Sequence, residues 1–160
     1  MKKILYGVFA ALAVCFSFTS CDDDDFSVDH GTHSERPETG ISGTYTGNYE
    51  VYNADRVTLE NTYPATATIT PGTTEYSIRL ESTCSETSIN GVEENPLNCA
   101  WANDEIKFWG PTAPGTTAGY LNSANLNGSY ANGTITFRFS KSIRSGRVTV
   151  TKFYVFTGMK

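Results

Sequence analysis

The sequence predicts an all-β protein, an antiparallel barrel or sandwich of about eight strands, the number its turn spacing supports. Three observations carry this. Apolar and polar residues alternate with a period of two through most of residues 39–160. Pairs rich in Gly, Asn and Pro interrupt the pattern at short intervals, as turns between consecutive strands require. No stretch of that body has the spacing of an amphipathic helix.

Ahead of the body lies an address. Lys2 and Lys3 give a positive start, Ile4 to Phe16 an apolar core, and Phe18-Thr19-Ser20 leads into Cys21 with two small residues. The apolar run falls short of the roughly 20 residues that span a bilayer. Residues 1–20 are therefore read as a lipoprotein signal peptide, with Cys21 the residue at which the precursor is cut and lipidated. An ordinary signal with a chance cysteine nearby is the alternative. One acyl chain holds only reversibly, at about 0.8 kcal/mol per buried methylene, so two or three chains on Cys21 make a lasting anchor.

Residues 21–38 are expected to form a disordered acidic tether. From residue 22 to 38 there are seven acids (Asp22 to Asp25, Asp29, Glu35, Glu38) and one base, Arg36, with almost no apolar content. Loose binding of a divalent ion by the four aspartates is the alternative to a solvated spacer. Cys21 followed at once by Asp22 to Asp25 resembles the surface lipoproteins of Bacteroidetes. That resemblance implies a lipid-anchored protein exported to the outer face of the outer membrane.

The body, residues 39–160, holds ten acids and nine bases. All ten acids lie at or before Glu105, while Lys107, Arg138, Lys141, Arg144, Arg147, Lys152 and Lys160 follow with no acid among them. Early strands pairing with late ones would neutralise this divide. The sharper reading is a basic edge that meets an anionic glycan or lipid head group. With no basic excess overall, nucleic acid is not an expected partner.

Taken in order, the strands begin with Tyr45, Gly47, Tyr49 and Val51 on one face. Val57 and Leu59 alternate with Arg56, Thr58 and Glu60. Tyr63, Ala65, Ala67 and Ile69 follow, then a turn at Pro71-Gly72, then Tyr76, Ile78 and Leu80. Ile106 and Phe108 continue the theme. Ile135, Phe137 and Phe139 mark the clearest strand, introduced by Asn132-Gly133, the strongest short hairpin signal. Asn127-Gly128 and Ser145-Gly146 are read as further turns. In the last strand Val148 and Val150 have the opposite parity to Phe153 and Val155. A bulge near Thr151-Lys152 would put them on one side; otherwise the strand is buried on both faces. Residues 82–104 and the stretch from Trp109-Gly110-Pro111 to Pro114-Gly115 read as long loops.

Gly43-Thr44-Tyr45-Thr46-Gly47, Asn132-Gly133-Thr134-Ile135-Thr136-Phe137 and Phe156-Thr157-Gly158-Met159-Lys160 resemble the calycin-like (lipocalin-like) barrel lipoproteins of Bacteroidetes. The resemblance covers both ends of the body and implies a barrel fold more than an activity.

Cys84 and Cys99 remain after Cys15 leaves with the signal and Cys21 is used by lipid. In an oxidising compartment they are expected to form a disulfide, closing a loop of about 15 residues and contributing roughly 3 kcal/mol. Two free buried thiols are the alternative.

For chemistry, the two histidines, His30 and His33, both fall in the tether, which leaves the body without an imidazole for Ser-His-Asp or Cys-His catalysis or most zinc sites. His30 and His33 beside Asp29 could hold a metal only weakly on a flexible segment. Glu93-Glu94 and Asp104-Glu105 are adjacent pairs, which strands would point to opposite faces, against the converging acids of a glycosidase. No phosphate-binding loop of the Walker type is present. Neither an enzyme nor a cofactor is expected. Trp101 and Trp109 flank Asp104, Glu105 and Lys107, with Asn98 and Asn103 nearby. Trp101, Lys107 and Trp109 are the candidate ligand-binding residues, an aromatic platform for a sugar or an apolar edge; tryptophans plugging the barrel ends are the alternative.

The expected function is thus a surface-anchored binding module for a small apolar ligand or a glycan. A protein that pairs with its partner through an exposed strand edge is the second reading, and a carboxylate-based hydrolase a distant third. A cavity lined by Tyr, Phe and Ile would favour the first reading, and a core packed solid with a long unpaired edge strand the second. Two carboxylates converging in a cleft would favour the third.

Overall fold

The computed structural model describes residues 33–86, 95–110 and 126–160. A four-residue helix α1 (Pro37–Gly40) precedes β1 (Gly43–Tyr52), β2 (Leu59–Pro71), β3 (Ser77–Cys84), β4 (Leu97–Ala102), β5 (Glu105–Trp109), β6 (Leu126–Ala131), β7 (Thr134–Ser145) and β8 (Val148–Met159). Each strand pairs antiparallel with the next, and β8 returns to pair with β1, so the sheet closes into a barrel with no crossover. This is the all-β architecture the period-two pattern predicts, with barrel chosen over sandwich.

The up-and-down order gives the barrel two different ends. At one lie the start of β1, the β2–β3 turn, the β4–β5 turn and the Asn132-Gly133 turn. At the other lie the connections after Tyr52, Cys84, Trp109 and Ser145. Asn132 and Gly133 have φ of 51° and 78°, the left-handed pair a tight two-residue hairpin needs. Gly146, with φ of 63°, begins the turn from β7 into β8 as a single left-handed residue.

Inside, alternation sets the core. Tyr45, Tyr49, Ala67, Ile69, Ile78, Leu80, Ile106, Phe108, Ile135, Phe137 and Phe156 are all buried. Tyr49 meets Phe137, Phe139 and Phe156 edge-on, with ring centroids 5.9, 6.0 and 5.2 Å away. Phe137 stacks on Phe156 at 4.9 Å, and Phe139 on Tyr154 at 5.0 Å. Rings from three adjacent strands, β7, β8 and β1, therefore cluster on the inner face, in the tilted and stacked arrangements that aromatic quadrupoles favour.

Five expectations change. Leu97–Ala102, within the stretch read as a loop, forms β4. β8 carries no bulge: its register against β7 runs without a shift from Val148 to Met159, so Tyr154 and Phe156 point inward while Phe153 and Val155 point outward. Asn127-Gly128 is no turn but lies inside β6, where Gly128 makes room for two rings. A Cβ there would stand 2.3 Å from Phe108 Cζ and 2.6 Å from Phe137 Cβ. Val57 is not in a strand; it is exposed in the turn before β2. Residues 33–38, expected to belong to a free tether, lie against the barrel; the rest of the tether and residues 1–20 are outside the described residues.

Candidate functional site

Residues 33–42 form a strap across one end of the barrel. Pro37 at the first helical turn suits its missing N–H. Ile41 is fully buried and its carbonyl accepts the hydroxyl of Tyr45. Ser42 Oγ donates to the carbonyl of Glu38 at 2.6 Å. Trp101 Nε1 donates to the carbonyl of Glu35 at 2.9 Å, and His33 stacks flat on the indole with centroids 3.8 Å apart. Arg36 bonds Glu38 at 2.6 Å and Glu75 at 3.2 Å, and its guanidinium lies over the Tyr76 ring. Glu38 is almost wholly buried; Oε1 takes the Arg36 bond while Oε2 has no partner. The apolar Ile41 anchors the strap, and burial of a charged Glu38 is offset by its arginine.

The three candidate ligand residues do not come together. In the β4–β5 ladder Cys99 faces Phe108 and Trp101 faces Ile106, so Trp101 shares the lumen face, under the strap. Lys107 and Trp109 have the opposite parity. Lys107 is half-buried and bonds Glu105, and Trp109 is completely buried rather than exposed as a platform. Because the hairpin register sets Trp101 opposite Ile106, the pleat holds it on the other face from Lys107 and Trp109. Asn103 presents only its backbone carbonyl to His33 Nε2, at 2.7 Å. Asn98 donates to the carbonyl of Gly110 at 3.5 Å.

Cys84 Sγ donates to the carbonyl of Glu86 at 3.1 Å, and Cys84 and Cys99 form no disulfide with each other. The register explains this. Cys99 N–H donates to the carbonyl of Tyr76, just before β3, while Cys84 ends that strand eight residues on. At about 3.3 Å per residue this is some 26 Å, far beyond the 7 Å limit on a bridged Cα pair. Burial pushes the thiols of both up from their ordinary value. Glu93 and Glu94 lie outside the described residues, as do Cys21 and His30.

The other end of the barrel is built differently. β6 reaches β7 only as far as Phe139, and β1 reaches β8 only as far as Phe153. Among the described residues, Ser140–Ser145 and Val148–Lys152 thus pair with each other alone, a two-stranded arm at this end of the barrel. On its outward face Arg138, Ser140, Ser142 and Arg144 stand opposite Val155, Phe153, Thr151 and Thr149. Ser142 and Thr151 hydroxyls are 3.1 Å apart. The guanidinium of Arg56, from the turn after β1, lies 4.3 Å above the Phe153 ring. On the inward parity Lys152 bonds Glu60, so part of the charge divide is neutralised by early and late strands meeting. The sequence registered the basic residues, but not that β7 and β8 extend past the described ends of β6 and β1; only the assembled sheet says so.

Two open hollows of about 340 and 320 Å³ mark the outer surface. The first is lined by Thr46, Gly47, Pro64, Ala65, Thr66, Thr83 and Cys84. The second lies beside the strap between Arg36 and the 71–75 turn.

Fold and site together define a closed eight-stranded antiparallel barrel with an aromatic-filled lumen, a strap at one end and a basic arm at the other. No family model matches the chain, and no curated protein is similar to it. Among solved structures, a candidate outer membrane protein from Bacteroides fragilis NCTC 9343 is similar at 16% identity and a TM-score of 0.48, over 78% of this chain and 52% of that one. This chain spans about half the length of that protein.

Proposed function

We propose that the protein is a binding module held at the outer-membrane surface by lipid on Cys21, and that it takes a glycan on the outside of its barrel. The buried aromatic cluster inside the barrel is the observation that carries this reading. Tyr49, Phe108, Phe137 and Phe156 occupy the space where a lipocalin-like carrier would hold a small apolar molecule, and all four are fully buried. The strap covers one end as well. Recognition then falls to outer surfaces bearing hydroxyls and guanidiniums, groups suited to sugars. The role is non-catalytic and needs no cofactor. In support, the acids Glu38, Glu60 and Glu105 are each engaged with a base rather than converging on one another.

Pairing through a strand edge is the second reading, favoured by the outer edges of the arm. Titrating the mature chain with a fluorescent apolar probe and screening it on immobilised glycans separates the readings. No saturable probe uptake with retention on glycans is expected; saturable uptake would return the ligand to the lumen. The anchor has its own test, in which Cys21→Ala releases the protein from membranes. Unchanged membrane partitioning would refute it.

A further inference from the structure

We propose that the outward face of the β7–β8 arm is a polyanion site for an anionic polysaccharide bearing carboxylate or sulfate groups. This deepens the binding-module reading and rests on it. Three guanidiniums share the face. Arg138 and Arg144 are exposed on β7, about 20 Å apart at the rise of a strand. Arg56 is held over Phe153 on the neighbouring strand by a cation–π contact. Arg147, also exposed, adds a fourth at the turn. Between them run Ser140, Ser142, Thr149 and Thr151, with no acid from 140 to 144 or from 149 to 153; Glu50, beside Val155 on β1, is an acid at the barrel end of this face. The planar guanidinium fork matches carboxylate and sulfate oxygens two at a time, where an ammonium offers only a point charge. Interleaved hydroxyls meet sugar hydroxyls.

Charge argues against the other occupants of an open arm. A second copy pairing edge to edge would bring Lys141, Arg144 and Arg147 against their own equivalents, and like charges across a ladder destabilise it. The molecule's own membrane is disfavoured by position. The strap enters at the end opposite the arm, and eleven residues lie between Cys21 and His33. The twelve-residue strands of β7 and β8 rise about 40 Å, so the arm tip lies a barrel's length from the strap through which the chain enters.

Affinity of the mature chain is measured for polygalacturonate, dextran sulfate, neutral dextran, and phosphatidylcholine vesicles with and without phosphatidylglycerol. Binding to one or both anionic polymers is expected, weakening as salt screens it, with no binding to neutral dextran. Polygalacturonate and dextran sulfate tell carboxylate from sulfate. Arg138→Gln/Arg144→Gln/Arg147→Gln should lower the affinity by about ten-fold or more for each charge-assisted hydrogen bond it removes. Arg79→Gln, an exposed arginine on β3, should leave it unchanged. Circular dichroism checks that the triple variant keeps its fold; these exposed side chains support no core. An equal loss with Arg79→Gln would reduce the effect to net charge and overturn the site. Binding to anionic vesicles but not to the polymers would overturn the ligand class in favour of a membrane. Capture of a neutral glycan, indifferent to the triple variant, would sink the arm while leaving the binding module standing.

Discussion

Tyr49 shows how one side chain ties the lumen together. Its ring is wedged among Phe137, Phe139 and Phe156, and its hydroxyl donates to Ser82 Oγ at 2.7 Å in a site closed to water. Burial raises its pKa well above the ordinary tyrosine value. Removing the hydroxyl leaves Ser82, itself buried, without that donor. Tyr49→Phe should therefore destabilise by about 1–3 kcal/mol, the cost of a buried polar group left unpaired. Tyr49→Phe/Ser82→Ala should cost less than the two single changes summed. Urea denaturation of the four proteins in that cycle checks it; strict additivity would show that the bond contributes nothing. At this scale the sequence is informative about facing: Tyr45, Tyr49, Ile69, Leu80, Ile106, Phe108 and Phe137 all point inward as alternation predicts. It misleads for Trp109 and for the cysteines, because partners across a ladder depend on register and not on proximity in the chain.

Individual elements depart from their local signals where packing overrides them. Asn127-Gly128 has turn chemistry, yet Phe108 needs the space that Gly128 leaves within β6. Gly128→Ala should destabilise the barrel by about 1–3 kcal/mol through overpacking, read as a lowered urea midpoint with an unchanged slope. An unaltered midpoint would mean the ring moves aside freely. Phe153 and Val155 read as core by composition, but an unbroken register turns them outward and gives Arg56 a ring to lie on. The acids of the strap suggest a solvated spacer. Ile41, Pro37 and the Arg36–Glu38 pair decide otherwise, and Trp101 provides the surface they cover.

For the molecule as a whole, closure joins its first and last strands, Thr46–Tyr52 lying against Phe153–Met159. Stability is thus shared by residues far apart in the chain, and several phenols are sealed inside. Burial raises the pKa of Tyr45, Tyr49 and Tyr154, and the Glu60 bond raises that of Lys152. The folded state therefore holds these protons more tightly than the unfolded state does. Below about pH 10, where unfolded tyrosines are neutral, that advantage is complete. Above it the unfolded chain releases protons first, and stability falls as pH rises. Urea midpoints should match near neutrality and at about pH 9 and drop at about pH 11; an equal midpoint at the highest pH would show that the phenols are not sealed in.

By itself the sequence determined the all-β class, the inward face of most strands, the hairpin at Asn132-Gly133 and the gathering of bases after Glu105. These follow from φ/ψ preferences and a side-chain period of two, which act over a few residues. Tertiary structure alone decided that the sheet closes, that aromatic rings fill its lumen, that Cys84 and Cys99 stay apart, and that the strap and the arm occupy opposite ends. Each of those depends on register and relative strand length, quantities that exist only once every strand has its two neighbours.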